Sequence, residues 1–123
     1  IRVNGGDTKK AQSDASALLR ENADIKGFFG CNNTSTVGIV NTLFEEKRTD
    51  VVLVGFDLAD ETKQMLQNPE YHAVTVLQKQ DQMGYLGMLS LNSLIKGEKS
   101  EQKYFDTGVI MVDSDYLMEN AVS

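Results

Sequence analysis

Tryptophan is absent from this sequence, and cysteine, proline and histidine each occur once. A single thiol, Cys31, excludes an internal disulfide and any metal site built on clustered cysteines, although it does not fix the compartment. With no basic neighbour and no second cysteine, Cys31 is expected to be a small buried residue. His72 has no Asp, Glu or Cys at ligand spacing, so neither metal binding nor acid–base work is expected of it. Basic residues are outnumbered 12 to 18, for a net charge of −6. No Lys/Arg stripe is present, which argues against a nucleic-acid partner. No apolar run approaches the length needed to span a bilayer. There is no Gly-x-Gly-x-x-Gly, no phosphate-binding Gly-Lys-Ser/Thr loop and no nucleophile elbow, so nothing points to nucleotide chemistry or acyl transfer. No catalytic residue, cofactor or metal is therefore expected. An initiator methionine is missing too. The chain opens on Ile1-Arg2-Val3, strand-like in character, and is read as a piece of a longer polypeptide, so a missing targeting segment says nothing about its source. At 123 residues it makes one domain or part of a larger one.

What is present is an alternation of strands and helices. Ile1–Val3 has the character of a clipped strand. Asp7 or Thr8 caps a helix whose Ala11, Ala15, Leu18 and Leu19 share a face. Residues 25–30 form a short buried strand. Asn33, Thr34 and Ser35 offer capping side chains ahead of Val37, Val40, Leu43 and Phe44 at helical spacing. Val51–Phe56 is a β-branched run of the kind buried on both faces of a parallel sheet. Residues 60–67 form a helix stopped near Asn68-Pro69, and residues 73–77 form another strand. Residues 81–95 form a strongly apolar helix, with Gly97 as its left-handed cap. Lys96–Lys103 is a charged turn. A last strand spans residues 105–112 and a terminal helix residues 114–120. The order predicts an α/β fold, doubly wound, with a mostly parallel sheet and helices on both faces.

Polar residues fall at three consecutive strand ends. Asp57 follows the Val51–Phe56 run, where ligands bind in open α/β sheets. The competing role for Asp57 is an Asx turn or a cap for the next helix. Asn32 precedes a helix and either serves a polar ligand, since an amide both donates and accepts, or makes the turn and caps the helix. Asn33 is read as turn and cap only. Gln78 follows the strand over residues 73–77. Together Asn32, Asp57 and Gln78 would line one rim of the sheet, the usual shape of a polyol site.

These residues carry a resemblance. Asp24-Ile25-Lys26-Gly27-Phe28-Phe29-Gly30-Cys31-Asn32-Asn33 with Val37-Gly38 is similar to the D-I-x-G-I-F-A-x-N-D-x-x-A-x-G stretch of bacterial sugar-binding proteins, the ribose- and galactose-type solute receptors of ABC transporters. Val52-Leu53-Val54-Gly55-Phe56-Asp57 resembles their V-x-V-V-G-F-D. Ala73-Val74-Thr75-Val76-Leu77-Gln78 with Met83-Gly84-Tyr85 resembles A-T-V-x-Q-x-P-x-x-M-G-Y. Asp106-Thr107-Gly108-Val109-Ile110-Met111-Val112 resembles the closing D-T-G-V-x-x-V. The four occur in order over nearly the whole chain. Two positions depart from the pattern. Asn33 stands where an aspartate is frequent, and Gln80 where a proline is frequent, which makes the crossover between lobes less rigid.

The resemblance implies a two-lobed periplasmic-binding-protein-like fold that closes on its ligand as a hinged clamp. It places Asn32, Asp57 and Gln78 in the ligand-contact set. Residues 1–77 correspond to later strands and helices of the C-terminal lobe. Residues 78–104 correspond to the crossover and a helix that packs on the other lobe, and residues 105–123 to a returning strand and terminal helix. The implied function is reversible binding of a monosaccharide or similar small solute for an ABC permease, outside the cytoplasm in the periplasm or as a surface lipoprotein. Two alternatives share the fold, the effector domain of a LacI-type regulator and the input domain of an extracytoplasmic sensor. The endings here favour the receptor. Met83, Leu86, Met88, Leu89, Leu91, Leu94 and Ile95 wrap most of their helix, so that helix needs burial on more than one side. In the isolated chain it would be open to water, and a homo-oligomer is expected.

Overall fold

The computed structural model describes residues 1–98 and 102–120. In chain order the elements are α1 (Thr8–Glu21), β1 (Gly27–Phe29), α2 (Asn33–Glu45), β2 (Val52–Phe56), α3 (Asp60–Gln67), β3 (Ala73–Gln78), α4 (Gln80–Ile95), β4 (Val109–Val112) and α5 (Ser114–Glu119). The sheet order is β1-β2-β3-β4. β1 pairs with β2 in parallel, Phe28 opposite Leu53, and β2 pairs with β3 in parallel, Phe56 opposite Val76. The chain is thus α/β with a mostly parallel sheet. Two compact units are present, residues 1–77 with the described residues from Met111 onward, and residues 78–110.

The first unit holds the core. Asp7 caps α1 by accepting the Lys10 N–H, which satisfies one of the free donors of the first turn. α1 packs on α2, and α2 packs on both α3 and β2. Ala15, Leu19, Ile39, Val40, Leu43, Val51, Leu53 and Met65 meet as one buried cluster. Phe44 and Tyr71 close its margin edge to face, with ring centres 4.9 Å apart. The helices approach closely because Gly38 has no side chain; a Cβ there would lie 2.5 Å from that of Ala11. α2 ends in a Schellman arrangement, with the Arg48 N–H bonded to the Leu43 carbonyl and Lys47 at φ 50°.

The second unit is carried by α4, which has no buried residue. Leu86, Ser90 and Ser93 are half-buried, one stripe at helical spacing, while the other apolar side chains are exposed. Glu98 N–H to Ser93 O and Gly97 at φ 76° end the helix as the sequence predicts. Among the described residues no helix is long and apolar enough to cross a membrane.

Several expected elements are altered. Ile1–Val3 forms no strand, because a strand exists only against a bonded neighbour and none pairs with it. The last strand begins at Val109 rather than at residue 105. Asp106 accepts the Gly108 N–H at 2.8 Å and Gly108 adopts φ 72°, a turn that interrupts extended backbone. Part of the expected charged turn, residues 99–101, lies outside the described residues.

Candidate functional site

At the carboxyl ends of β1 and β2 a single hydroxyl organises the backbone. Thr36, fully buried in the first turns of α2, donates from Oγ1 to the Asn32 carbonyl at 2.9 Å and accepts the Phe56 N–H at 2.9 Å. It occupies space left by two glycines. A Cβ on Gly30 would lie 2.5 Å from Thr36 Oγ1, and one on Gly55 would lie 2.6 Å from Thr36 Cγ2. One buried hydroxyl thus joins the ends of two strands to the start of a helix. Each partner is satisfied, as a buried polar group requires.

Asp57 follows directly, just past the end of interior strand β2. Its backbone is held twice from β3. Its N–H donates to the Val76 carbonyl at 2.8 Å, and its own carbonyl accepts the Thr75 hydroxyl at 2.7 Å. It adopts φ 64°, left-handed backbone that aspartate tolerates better than most residues. Such conformations persist where the surroundings over-determine them, and they cluster at functional sites. Asp57 is half-buried.

Asn32 is the N-cap of α2. Its Oδ1 accepts the Ser35 N–H at 2.9 Å and the Thr34 hydroxyl at 3.1 Å. The cap role is therefore realised. It uses only the acceptor, and the exposed amide leaves its N–H donors for another partner. Asn33 is the first residue of the helix. Asn4 reaches the same place, its Nδ2 donating to Ser35 Oγ at 3.2 Å. Gln78 is the last residue of β3, half-buried, and belongs to the second unit. In that unit the Lys79 side chain lies beside Gly108.

Cys31 is exposed, contrary to expectation. The inward position at this strand end belongs to Gly30 under Thr36, and the next residue points out. His72 is also exposed, and its carbonyl accepts the Leu53 N–H. Among the described residues no group of three or more His, Cys, Asp or Glu side chains is placed to hold a metal.

Thr36, Thr75 and Asn4 were not singled out from sequence. The available signal for Thr36 was a pair of glycines, Gly30 and Gly55, each near the end of a successive strand with a hydroxyl residue early in the intervening helix.

The opposite ends of the strands carry a different electrostatic group. Asp50 accepts Arg48 Nε at 2.7 Å and Lys26 Nζ at 2.7 Å. Hydrogen bonds from Arg48 and then Lys26 hold its carboxyl well below the usual carboxylate range. Arg48 also donates to the Ile25 carbonyl at 3.3 Å. The cluster ties the turn before β1 to the turn before β2, on the side away from Asp57.

The profile of the periplasmic binding protein domain family matches residues 2–99. The ribose import binding protein RbsB of Escherichia coli (strain K12) is 30% identical over 87 residues, 71% of this chain and 29% of that protein. A carbohydrate transporter solute binding protein from Agrobacterium radiobacter, solved in complex with D-arabinose, is 28% identical with a TM-score of 0.81. That match covers 96% of this chain and 40% of the other. An ABC transporter solute binding protein from Agrobacterium vitis, solved with bound D-fucose, is 27% identical with a TM-score of 0.80, covering 94% of this chain and 40% of the other. The chain thus spans less than half the length of each.

Proposed function

The chain belongs to the periplasmic binding protein domain family, and from that premise we propose that it forms part of a receptor that binds a monosaccharide or similar polyol reversibly, without turnover. The observation that supports this best is Asp57, fixed at an interior strand end by Thr75 and Val76 in a left-handed conformation. A carboxylate held this way accepts hydrogen bonds from paired hydroxyls, and charge-assisted bonds are the strong ones. The Asn32 amide adds donors from the neighbouring strand end, its acceptor being committed to the helix. Gln78, at the end of β3, would be the third contact. Acceptors and donors together suit a ring of hydroxyls.

In this reading residues 1–77 belong to one lobe of the receptor, residues 78–104 cross to the other with α4, and residues 105–123 return. The receptor works outside the cytoplasm and delivers its ligand to a membrane permease. Binding without turnover is the role proposed because the relatives this chain matches are named as import and solute binding proteins.

The test is calorimetry on the intact receptor carrying this sequence. Asp57→Ala should weaken sugar binding by about 1.5–3 kcal/mol, the scale of a hydrogen bond to a charged group. Unchanged affinity would remove Asp57 from the site.

A further inference from the structure

The ladder between β1 and β2 takes the Val52 N–H to Lys26 O and the Gly30 N–H to Val54 O, both at 2.9 Å. Backbone groups facing one neighbour recur at every second residue of a parallel strand, so the next β2 donor on that side is the Phe56 N–H. Pairing with β1 ends at Phe29 opposite Val54, and the Phe56 N–H bonds instead to Thr36 Oγ1 at 2.9 Å. The Gly30 carbonyl, which would have closed that rung, lies 3.5 Å from the same hydroxyl oxygen. A side chain of α2 thus stands in for a rung of backbone. β2 stays held to its last residue while the chain after β1 turns away into the cap of α2 at Asn32.

The hydroxyl serves both sides at once. Its proton goes to the Asn32 carbonyl, which also accepts the Thr36 N–H at 3.0 Å, and its lone pairs take the Phe56 N–H. A hydroxyl can do this because it donates and accepts through one atom. The methyl group fixes its direction. A helical threonine divides between two rotamers, and here Cγ2 fills the gap left by Gly55, where a Cβ would lie 2.6 Å from it. Asn32 stands four residues before Thr36, and Asp57 one residue after Phe56. The two residues read above as sugar contacts therefore hang on one oxygen atom.

We infer that Thr36 is a positioning residue of the binding site: its hydroxyl sets the spacing between the Asn32 amide and the Asp57 carboxylate without touching the ligand. This role rests on the reading of those two residues as sugar contacts. Thr36 is fully buried, which keeps it from the ligand itself. Binding groups act together only when held to within about 0.5 Å of their productive geometry. Without the hydroxyl the Phe56 N–H loses its acceptor, an unmet bond that the strand end relieves by moving, and Asp57 moves with it.

The test is calorimetry on the intact receptor carrying this sequence, with D-ribose, D-arabinose and D-fucose as probes. Thr36→Val should weaken the tightest of them about tenfold, the low end of what losing an outer hydrogen bond costs a metal site. Thr36→Ser, which keeps the hydroxyl, should restore affinity to within about threefold. Val40→Ala removes fully buried volume one turn along the same helix and should lose similar stability in urea unfolding. Its affinity should nevertheless stay within about twofold of the unaltered receptor. Should Thr36→Val fail to fold, Thr36→Ala takes its place with the same expectation. Unchanged affinity without the hydroxyl, while Asp57→Ala weakens binding, would overturn the positioning role and leave the sugar site standing. Equal weakening by Val40→Ala would reduce Thr36 to a stabilising residue and also overturn it. If Asp57→Ala is itself silent, or none of the three sugars binds, the reading of the site falls and the positioning role falls with it.

Discussion

Helices α2 and α4 are both apolar along their length, yet they have opposite fates. α2 buries seven of its residues, from Thr36 to Leu43, between α1, α3 and β2. α4 buries none and leaves Ile95 77% exposed. Composition measures how strongly a helix seeks cover, and only neighbouring elements supply it. In α2 the cover lies within the same unit, some of it contributed by residues more than twenty positions away. In α4 the cover belongs, in the reading proposed above, to the other lobe of the receptor.

The comparison breaks most sharply at one leucine from each helix. Leu43→Ala removes a fully buried side chain and should cost about 2–5 kcal/mol in urea unfolding. Leu91→Ala, at a half-exposed position, should cost less than about 0.5 kcal/mol. Equal losses would mean that α4 is covered in solution.

The buried hydroxyl of α2 tests the polar side of the same contrast. Thr36→Val keeps the shape but leaves the Phe56 N–H without its acceptor, and should cost about 1–3 kcal/mol. Thr36→Ser should recover most of that. Ser90 in α4 donates to the Leu86 carbonyl of its own helix, so Ser90→Ala should be nearly silent.

The exposed face of α4 sharpens the comparison through association. We expect sedimentation of the isolated chain to show a dimer or larger assembly at micromolar concentration, because so large an apolar patch seeks a partner. Met88→Glu with Leu94→Lys should shift the distribution toward monomer. A clean monomer for the unaltered chain would end that expectation.

The smallest effect concerns the surface cluster behind the core. The folded-state pKa of Asp50 lies below its unfolded value, so its contribution is fully present above the ordinary carboxylate range and is lost as pH falls through the folded value. The stability difference between the unaltered chain and Asp50→Asn should therefore narrow as pH drops below about 4. The group is exposed, so the difference is small and shrinks with added salt.

Much of the proposed site was legible before any coordinates. A β-branched run stopping at Gly55-Phe56-Asp57 marks a strand end with a carboxylate on it, and Asp57 lies there. Asn32 was legible as a turn residue of undecided role, and the cap turned out to use its oxygen alone. Thr36 and Thr75 were not legible. Their partners, Phe56 and Asp57, lie 20 and 18 residues away, and no periodicity marks a hydrogen bond of that span. Cys31 was misjudged because residue type predicts average burial, whereas one position along a turn reverses the direction of a side chain.

By itself the sequence determined where most of the helices and strands form. Capping side chains such as Asp7, apolar spacing and runs of β-branched residues act between neighbours a few positions apart, so they can be read in one dimension. Tertiary structure alone decided that Ile1–Val3 stays irregular, that Gly30 and Gly55 make room for one threonine, and that Asp57 is pinned from the next strand. Those outcomes depend on which groups meet across the fold. A strand needs a partner, a buried hydroxyl needs both its bonds, and an apolar face needs another to cover it.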